Sequence, residues 1–300
     1  MKKAALVVMA AGMASRYGGN KQIEGMGPHG EILMEYSIFD AIRAGFTKVV
    51  FVIKPEMLGR MKEICGDRLS RRIEVEYAFQ DFSSIPSFYP IPAGRVKPFG
   101  TVHAVLWALD KLCEPFAVIN ADDYYGVESF SQMYDFLTAR SAPDQAAMMG
   151  SQLRNTVSKN GTVTRGICRV SGDRLTGVRE VKKIRLRPDG VISDDDSGEI
   201  LPPEASVSMN FWGFSHEIAA PMRAAFETFL RTIDPSNLTA EYLLPVFVDQ
   251  LIQSGDLSVT VLPTPAIWFG VTYKEDRPAV VAKFQEFADN GVYPTPLYRK

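Results

Sequence analysis

Positive charges and glycines follow the first apolar stretch of the chain, a combination suited to binding phosphate. Residues 4–11 are all apolar, Gly12 comes next, and Arg16, a pair of glycines and Lys21 follow. Glycines allow backbone N–H groups to approach an anion closely, and the two side chains add full positive charge. These residue types predict a triphosphate site in a loop that leaves a buried strand.

Two other interpretations of this stretch have to be weighed. Two lysines, a short apolar run and small residues are also typical of a secretory signal peptide. Cleavage would, however, remove the first strand of an α/β domain, and nothing downstream indicates export. A strand and turn without a ligand is the second alternative, because a lone glycine-rich loop is a weak signal.

A second group with possible chemistry is the segment Asn120–Gly126, which reads NADDYYG and follows the apolar residues 116–119. Mg²⁺ prefers a site with one or two carboxylates and substrate phosphates, so Asp122 or Asp123 could hold that metal. A helix cap or turn is the alternative role for such a pair. We favour packing and turn roles for Asp123 and its two tyrosine neighbours.

The elements that must position these residues alternate along the first half of the chain. The predicted strands are residues 4–11, 48–53, 73–79 and 116–120, and the predicted helices are 34–44, 55–65 and 101–112, the last with Thr101 as its cap. Such alternation builds a parallel sheet covered by helices on both faces. Loops at the carboxyl ends of neighbouring strands then share one crevice, which is where open α/β sheets bind ligands.

The second half is less regular, with more strands than helices. Strands are predicted at 145–153, 166–171, 175–184, 206–214 and 257–262, and helices at 217–232, 240–253 and 276–288. Together the two halves predict a Rossmann-like α/β fold with a mixed, mainly parallel sheet flanked by helices.

Composition restricts the classes of partner. The chain has 300 residues, 46% of them apolar, and a formal net charge of −2, which gives no general attraction to nucleic acid or to an anionic membrane. Its three cysteines lie far apart and its three histidines are scattered, which argues against a zinc site or a disulfide framework. We therefore expect a cytoplasmic protein that binds small molecules, and it could form a homo-oligomer.

Five motifs, in order along the chain, resemble those of the sugar-1-phosphate nucleotidyltransferases, the NDP-sugar pyrophosphorylases with a GT-A-like fold. The motifs are residues 9–21, GTVHA at 100–104, the aspartate Asp122, the stretch 165–182 and Asn210 in VSMNFWGF. The similarity extends in pieces over nearly the whole chain. It implies one nucleotidyltransferase domain over 1–300, with a nucleotide-binding half at 1–140 and a sugar-binding half with a C-terminal helix at 141–300.

The resemblance also implies roles for individual residues and Mg²⁺ as a cofactor. The triphosphate would be held by the catalytic residues Arg16 and Lys21. The nucleotide would be bound by Ala10, Ala11, Gly12, Gln80, Gly100 and Thr101, with Gln80 reading a pyrimidine edge. The sugar phosphate would be bound by Gly166, Glu180, Lys182 and Asn210, and the metal by Asp122 and Thr272.

Several positions depart from the family pattern. Ala14 replaces a loop glycine, Asn20 replaces a proline, and residues 81–99 form an insertion beside the predicted base site. The segment 268–276, WFGVTYKED, resembles the one that completes the family's metal site, yet Gly270 stands where an aspartate is expected. Thr272 or Asp276 could supply the missing ligand.

The function that we expect is Mg²⁺-dependent transfer of a nucleotide from UTP or dTTP to a sugar 1-phosphate, with release of pyrophosphate. Three alternatives remain open from the sequence. The acceptor could be phosphocholine or a polyol phosphate, the enzyme could be a glycosyltransferase, or the protein could be a regulator that binds a nucleotide sugar without catalysis.

Overall fold

A computed structural model describes residues 2–12, 24–83, 85–139, 142–270 and 274–298. The strands are β1 (Ala5–Met9), β2 (Lys48–Ile53), β3 (Glu74–Phe79), β4 (Phe116–Asn120), β5 (Asp123–Tyr124), β6 (Gln145–Gln152), β7 (Val163–Ser171), β8 (Arg174–Leu186), β9 (Ile192–Asp194), β10 (Ser206–Phe214), β11 (Ser258–Thr264) and β12 (Phe269–Gly270). The helices are α1 (Leu33–Ala44), α2 (Leu58–Met61), α3 (Asp67–Leu69), α4 (Thr101–Leu109), α5 (Val127–Ala139), α6 (Ala219–Thr232), α7 (Leu244–Ser254) and α8 (Arg277–Asp289). Among the described residues, no helix combines the length and apolar character needed to cross a membrane.

Most strands join one large mixed sheet, in the order β3-β2-β1-β4-β10-β6-β11-β8-β7, with β9 beside β8. Strands β1 to β4 are parallel, β10 runs antiparallel to β4 and β6, and β11 is parallel to β6. Strands β7, β8 and β9 form antiparallel pairs, β7 with β8 and β8 with β9, at one edge of the sheet. This topology confirms the predicted α/β fold with a mixed, mainly parallel sheet.

The core lies on both faces of the central strands, as their unbroken apolar runs predict. In β1, Ala5 and Val7 pack in the cluster that contains residues of α4, α6 and α7, whereas Leu6 and Val8 pack in the cluster of α1 and α5. All four side chains are fully buried. Successive side chains of a strand point to opposite faces, so each needs its own helix layer. The two helix layers cover the faces of the sheet and leave the carboxyl ends of its parallel strands for the loops that follow them.

Helix boundaries differ from the predictions at several places. Helix α5 was not predicted, although Phe130, Met133 and Leu137 are buried at helical spacing. The predicted helix 55–65 is a run of short turns through residue 69, including a π-helical turn at Lys62–Gly66. Helix α7 begins at Leu244 rather than at residue 240, because the residue before it is extended.

The C-terminal segment packs across α1 and against the β5–β12 ribbon. Phe284 stacks on Tyr36 with ring centroids 3.9 Å apart. The hydroxyl of Tyr293 donates to Asp40 Oδ2 at 2.6 Å and lies 2.8 Å from the hydroxyl of Tyr124 in β5. Buried polar groups of this kind are stable only when they are paired. The segment therefore fixes the ribbon that carries the aspartates of residues 122 and 123.

Candidate active site

Two of the predicted functional segments leave the sheet side by side. Met9 at the end of β1 lies opposite Asn120 at the end of β4, and the N–H of Ala121 donates to the Met9 carbonyl at 3.2 Å. Residues 10 and 11 are buried, whereas Gly12 is exposed. The carboxyl ends of two adjacent parallel strands thus open into one crevice, which is the usual ligand position in such sheets.

A cavity of about 210 Å³ lies beside the end of β4. Its polar lining includes the side chains of Thr101, Asn120, Asp123, Arg165, Glu180 and Asn210. An apolar patch is made by Met209, Leu243 and Pro245. The structure brings Gly166, Glu180 and Asn210, which were assigned to the sugar phosphate, together with Thr101, which was assigned to the nucleotide, in one cavity. Their roles stay predictions.

Hydrogen bonds connect five side chains along this cavity, and we refer to them as the hydrogen-bond chain. Trp268 Nε1 donates to Asp123 Oδ1 at 2.8 Å, and Asn120 Nδ2 donates to Asp123 Oδ2 at 2.7 Å. Asn210 Nδ2 donates to Asn120 Oδ1 at 3.3 Å, and Trp212 Nε1 donates to Asn210 Oδ1 at 3.1 Å. The chain links β4, β5, β10 and the segment before β12.

Asn210 has an unusual backbone conformation. Its φ is +65°, in the left-handed region that side chains other than glycine seldom adopt, although asparagine tolerates it best. The β10 register with β6 shifts between Ser208 and Trp212, so Asn210 lies in a bulge. The hydroxyl of Tyr125 donates to the Met209 carbonyl at 3.0 Å, which holds the bulge. Bulges often redirect a side chain next to an active site, and here the bulge directs Asn210 into the cavity.

Gly166 and Glu180 face each other across the β7–β8 pair. A Cβ at Gly166 would lie 2.9 Å from Val178 Cγ2 and 3.2 Å from Ser208 Cβ, so glycine allows β7, β8 and β10 to approach closely. Burial raises the pKa of Glu180, Lys182 lowers it and Glu241 raises it further. Lys182 itself is exposed and does not line the cavity.

Gly100 and Thr101 hold the segment before α7 against the start of α4. Gly100 has φ +93°, and a Cβ there would lie 2.5 Å from the carbonyl oxygen of Tyr242. Thr101 was predicted to cap α4, but Gly100 takes the N-cap position and Thr101 is the first helical residue. The Thr101 hydroxyl instead accepts the N–H of Leu244 at 2.8 Å. It therefore satisfies one of the free N–H groups of α7.

Gln80, the predicted reader of the base, is mostly buried behind the start of α4. Its Nε2 donates to the Gly100 carbonyl at 3.3 Å and lies 3.5 Å from His103 Nδ1. Burial lowers the pKa of His103 to about 4, so that ring is neutral at pH 7. Gln80 does not line the cavity, and its role in base recognition stays a prediction.

Asp122 is the predicted metal ligand, and its half-buried carboxylate follows β4 directly. No group of three or more His, Cys, Asp and Glu side chains that could hold a metal ion occurs in the part of the chain that the structure describes. Mg²⁺ is commonly bound by one or two carboxylates together with substrate phosphates. A site made by Asp122 and phosphate oxygens fits that chemistry.

Gly270 is the residue at which the sequence resemblance expected a second metal aspartate, and a side chain does not fit at this position in the structure. Gly270 lies opposite Asp123 in the β5–β12 pair. A Cβ would lie 2.8 Å from the Asp122 carbonyl oxygen and 3.0 Å from Asp123 Oδ1. The other possible ligand, Asp276, accepts a hydrogen bond from Asn160 Nδ2 at 2.7 Å.

Arg165 is a cavity residue that the sequence analysis did not identify as functional. Its guanidinium lies 4.4 Å from the ring centroid of Trp268 and donates to the carbonyls of Thr156 and Thr164. Burial lowers its pKa to about 10, whereas Asp123 raises it, so the group stays charged at pH 7. The cavity thus holds a buried positive charge close to its carboxylates.

Three predicted residues lie outside the described residues. These are Arg16 and Lys21 in the glycine-rich loop and Thr272 in the segment after β12. The sequence gives little indication that Asp123 and Trp268 belong to the site, because they are 145 positions apart and meet only in the folded chain.

Comparison with known proteins identifies the family. A family model described as Nucleotidyl transferase matches residues 15–184, more than half of the chain. Comparison with curated proteins gives no significant match.

Two solved structures share the fold. A Bacillus anthracis protein described as a glucose-1-phosphate thymidylyltransferase, in complex with a sucrose, has a TM-score of 0.60 and 12% identity over 94% of this chain and 96% of its own. An inositol-1-phosphate CTP transferase from T. maritima has a TM-score of 0.59 and 11% identity over 95% and 97%. At such identities they show the fold alone, and the family model carries the assignment. The chain belongs to the nucleotidyl transferase family, which confirms the resemblance found in its motifs.

Proposed function

We propose that this protein transfers a nucleotide from a pyrimidine nucleoside triphosphate, UTP or dTTP, to a sugar 1-phosphate and releases pyrophosphate. Family membership supports nucleotidyl transfer. The observation that carries the acceptor is the cavity lined by Asn120, Glu180 and Asn210 at the carboxyl edge of the sheet. Amides and a carboxylate are the groups that bind sugar hydroxyls, since each hydroxyl both donates and accepts.

The size of the cavity supports a small acceptor group. Sites for drug-sized ligands usually occupy about 300–1,000 Å³, whereas this cavity measures about 210 Å³. It is therefore suited to one sugar ring rather than to a whole nucleotide sugar. The apolar patch of Leu243 and Pro245 would offer a contact surface for the C–H groups of the ring.

The reaction needs positioning and charge neutralisation more than covalent chemistry by the protein. A phosphate oxygen of the acceptor forms a bond to the α-phosphorus, and the bond from the α-phosphorus to the bridging oxygen of pyrophosphate breaks. Arg16 and Lys21 hold the triphosphate and offset the charge that develops on the leaving pyrophosphate. Asp122 would hold Mg²⁺, which neutralises phosphate charge when bound.

Specificity in this proposal is divided between the two halves of the single domain. Residues 1–140 bind the nucleotide, with Gln80 selecting a pyrimidine, and residues 141–300 bind the sugar phosphate through Glu180 and Asn210, with Asn120 of the first half completing the acceptor cavity. The pyrimidine preference follows from the family resemblance at Gln80, whose amide offers both a donor and an acceptor.

The test is pyrophosphate release with Mg²⁺ across UTP, dTTP, CTP, GTP and ATP, each with sugar 1-phosphates, inositol 1-phosphate and phosphocholine. Release with one pair that is lost in Lys21→Ala and Asp122→Ala would support the proposal and name both substrates. Turnover with inositol 1-phosphate or phosphocholine alone would replace the sugar acceptor. Hydrolysis of a nucleotide sugar would indicate a glycosyltransferase. If no pair releases pyrophosphate but a nucleotide sugar still raises the melting temperature, the protein would be a regulator that binds a nucleotide sugar without catalysis.

A further inference from the structure

The direction of every hydrogen bond in the hydrogen-bond chain is fixed by its two ends. Both ends are indole Nε1 groups, which can only donate, so the atom that each of them contacts must be an acceptor. Trp268 and Asn120 donate to the two oxygens of Asp123, so the Asn120 amide must direct its oxygen toward Asn210. Trp212 donates to Asn210 Oδ1, which fixes that amide in the same sense.

From this geometry we infer that Asp123 is a positioning residue, which orients the amides of Asn120 and Asn210 for the acceptor. Each amide has two N–H groups and an oxygen with two lone pairs, and the chain uses one N–H and one lone pair of each. Among the residues that the structure describes, these are the bonds of the two amides, so one N–H and one lone pair of each remain for a ligand. Both asparagines line the cavity, so these groups are presented there in a set order.

Orientation matters because the two ends of an amide differ in chemistry but hardly in shape. If the Asn120 amide turned over, its NH₂ group would face the NH₂ group of Asn210, and its oxygen would face Asp123. Two hydrogen bonds would be lost and like partial charges would be brought together. Asp123→Asn would present an NH₂ group to the Asn120 amide, because Trp268 would keep the new amide oxygen, so positions 123 and 210 would favour opposite orientations of Asn120. This inference rests on the proposed function for the identity of the acceptor.

The first experiment uses tryptophan signals and needs no substrate. The chain has three tryptophans, so ¹H–¹⁵N spectra contain three indole signals. Trp268 and Trp212 donate at opposite ends of the chain, whereas Trp107 donates to His103 at 3.1 Å and serves as an internal control. Asp123→Asn should shift the signals of both Trp268 and Trp212 and leave that of Trp107 unchanged. An unmoved Trp212 signal would overturn the inference.

A double variant provides the matched control. Asn120→Asp combined with Asp123→Asn exchanges the amide and the carboxylate, so Trp268 can donate to the new amide oxygen. The new amide NH₂ and Asn210 Nδ2 can then both donate to the carboxylate at position 120. Net charge is unchanged and every contact of the chain again joins a donor to an acceptor, although the bond between positions 120 and 123 now runs in the opposite direction. The Trp212 signal should return to its original position in the double variant, but not in Asn120→Asp alone.

Kinetics with the acceptor that the panel identifies give the second readout. Asp123→Asn should raise the acceptor KM on the order of tenfold, the effect of one misplaced buried hydrogen bond, with the triphosphate KM changed less than about twofold. The double variant should have a lower acceptor KM than either single variant. Additive losses would instead mean that Asp123 acts directly on a ligand, and would overturn the positioning role.

The two readouts keep this inference separate from the proposed function. A Trp212 shift with no turnover on the panel would refute the proposed reaction while leaving the orienting role of Asp123 intact. Turnover with an unmoved Trp212 signal would support the proposed reaction and refute the orienting role of Asp123. If Asp123→Asn does not fold, the double variant decides, since an intact chain should let it fold and a failure to fold would count against the inference.

Discussion

Replacing Gly100 with alanine should weaken the protein and the acceptor cavity together. The residue has φ +93° and ψ −169°, a conformation that is essentially confined to glycine and costs other residues about 1–3 kcal/mol. The new Cβ would also lie 2.5 Å from the Tyr242 carbonyl oxygen and 2.8 Å from its nitrogen. Real Cβ atoms do not approach backbone so closely, and the segment at Tyr242 must therefore move.

That movement breaks specific hydrogen bonds. The N–H of Tyr242 donates to the Phe99 carbonyl at 2.8 Å, and the N–H of Val102 donates to the Tyr242 carbonyl at 3.1 Å. Each contributes about 1 kcal/mol. With the backbone strain, Gly100→Ala should lower the free energy of unfolding by about 3–5 kcal/mol. Against a typical stability of about 5–15 kcal/mol, this loss is large enough to measure by equilibrium unfolding.

Urea unfolding followed by circular dichroism measures this loss, and Gly190→Ala is the matched control. Gly190 also has a positive φ, +85°, but nothing lies within 4 Å of its would-be Cβ, so only the strain of about 1–2 kcal/mol applies. Because Leu243 and Pro245 follow Tyr242 and line the cavity, Gly100→Ala should also raise the acceptor KM. Equal losses of stability in the two variants would refute the role of the close approach.

Three further predictions concern charges. Because burial raises the pKa of Glu180, the acceptor KM should fall as the pH rises through that pKa, and Glu180→Gln should give a higher KM that is flat with pH in steady-state assays. Burial raises the pKa of Asp40 from 3.8 to about 7, so the folded state keeps a proton that the unfolded chain releases. Urea titrations should therefore show the free energy of unfolding falling by up to about 4 kcal/mol from pH 4 to 7. Asp40→Asn should remove this pH dependence, and its persistence in that variant would contradict this reasoning. Gly270→Asp should lower pyrophosphate release at every Mg²⁺ concentration, because the side chain collides with the Asp122 carbonyl; increased release would contradict the packing argument.

The sequence was most informative where a single segment determines its own structure. The apolar run of β1 predicts a strand buried on both faces, and all of its residues pack as expected with alternating contacts to the two helix layers. The glycine at position 100 was assigned by resemblance to the base site, and the structure adds a second reason for it in the approach of Tyr242. Helix α5 could have been predicted, because Phe130, Met133 and Leu137 follow helical spacing.

The rest of the site depends on contacts between distant residues, which no local pattern encodes. Asp123 was assigned to packing and turn roles from its place in an Asp-Asp pair, whereas its partner Trp268 is 145 residues away. The Asn120 and Asn210 contact spans 90 residues, and it exists only because β10 inserts antiparallel beside β4. Local reasoning identifies such residues as polar and near a strand end, but their pairing follows from the sheet order.

The departure at Gly270 and the carboxylate of Asp123 have one physical explanation. In the β5–β12 pair these residues lie opposite each other, and Asp123 Oδ1 lies 3.0 Å from the position that a Cβ at 270 would take. Trp268 Cζ2, at 2.7 Å, and the Asp122 carbonyl oxygen, at 2.8 Å, lie closer still, so these three groups together occupy the space that a side chain at 270 would need. Trp268, two residues before Gly270, holds that carboxylate in place through its indole N–H. An aspartate at 270 would collide with these groups and displace the carboxylate that accepts from Asn120, so the present contacts of Asp123 require a glycine at 270.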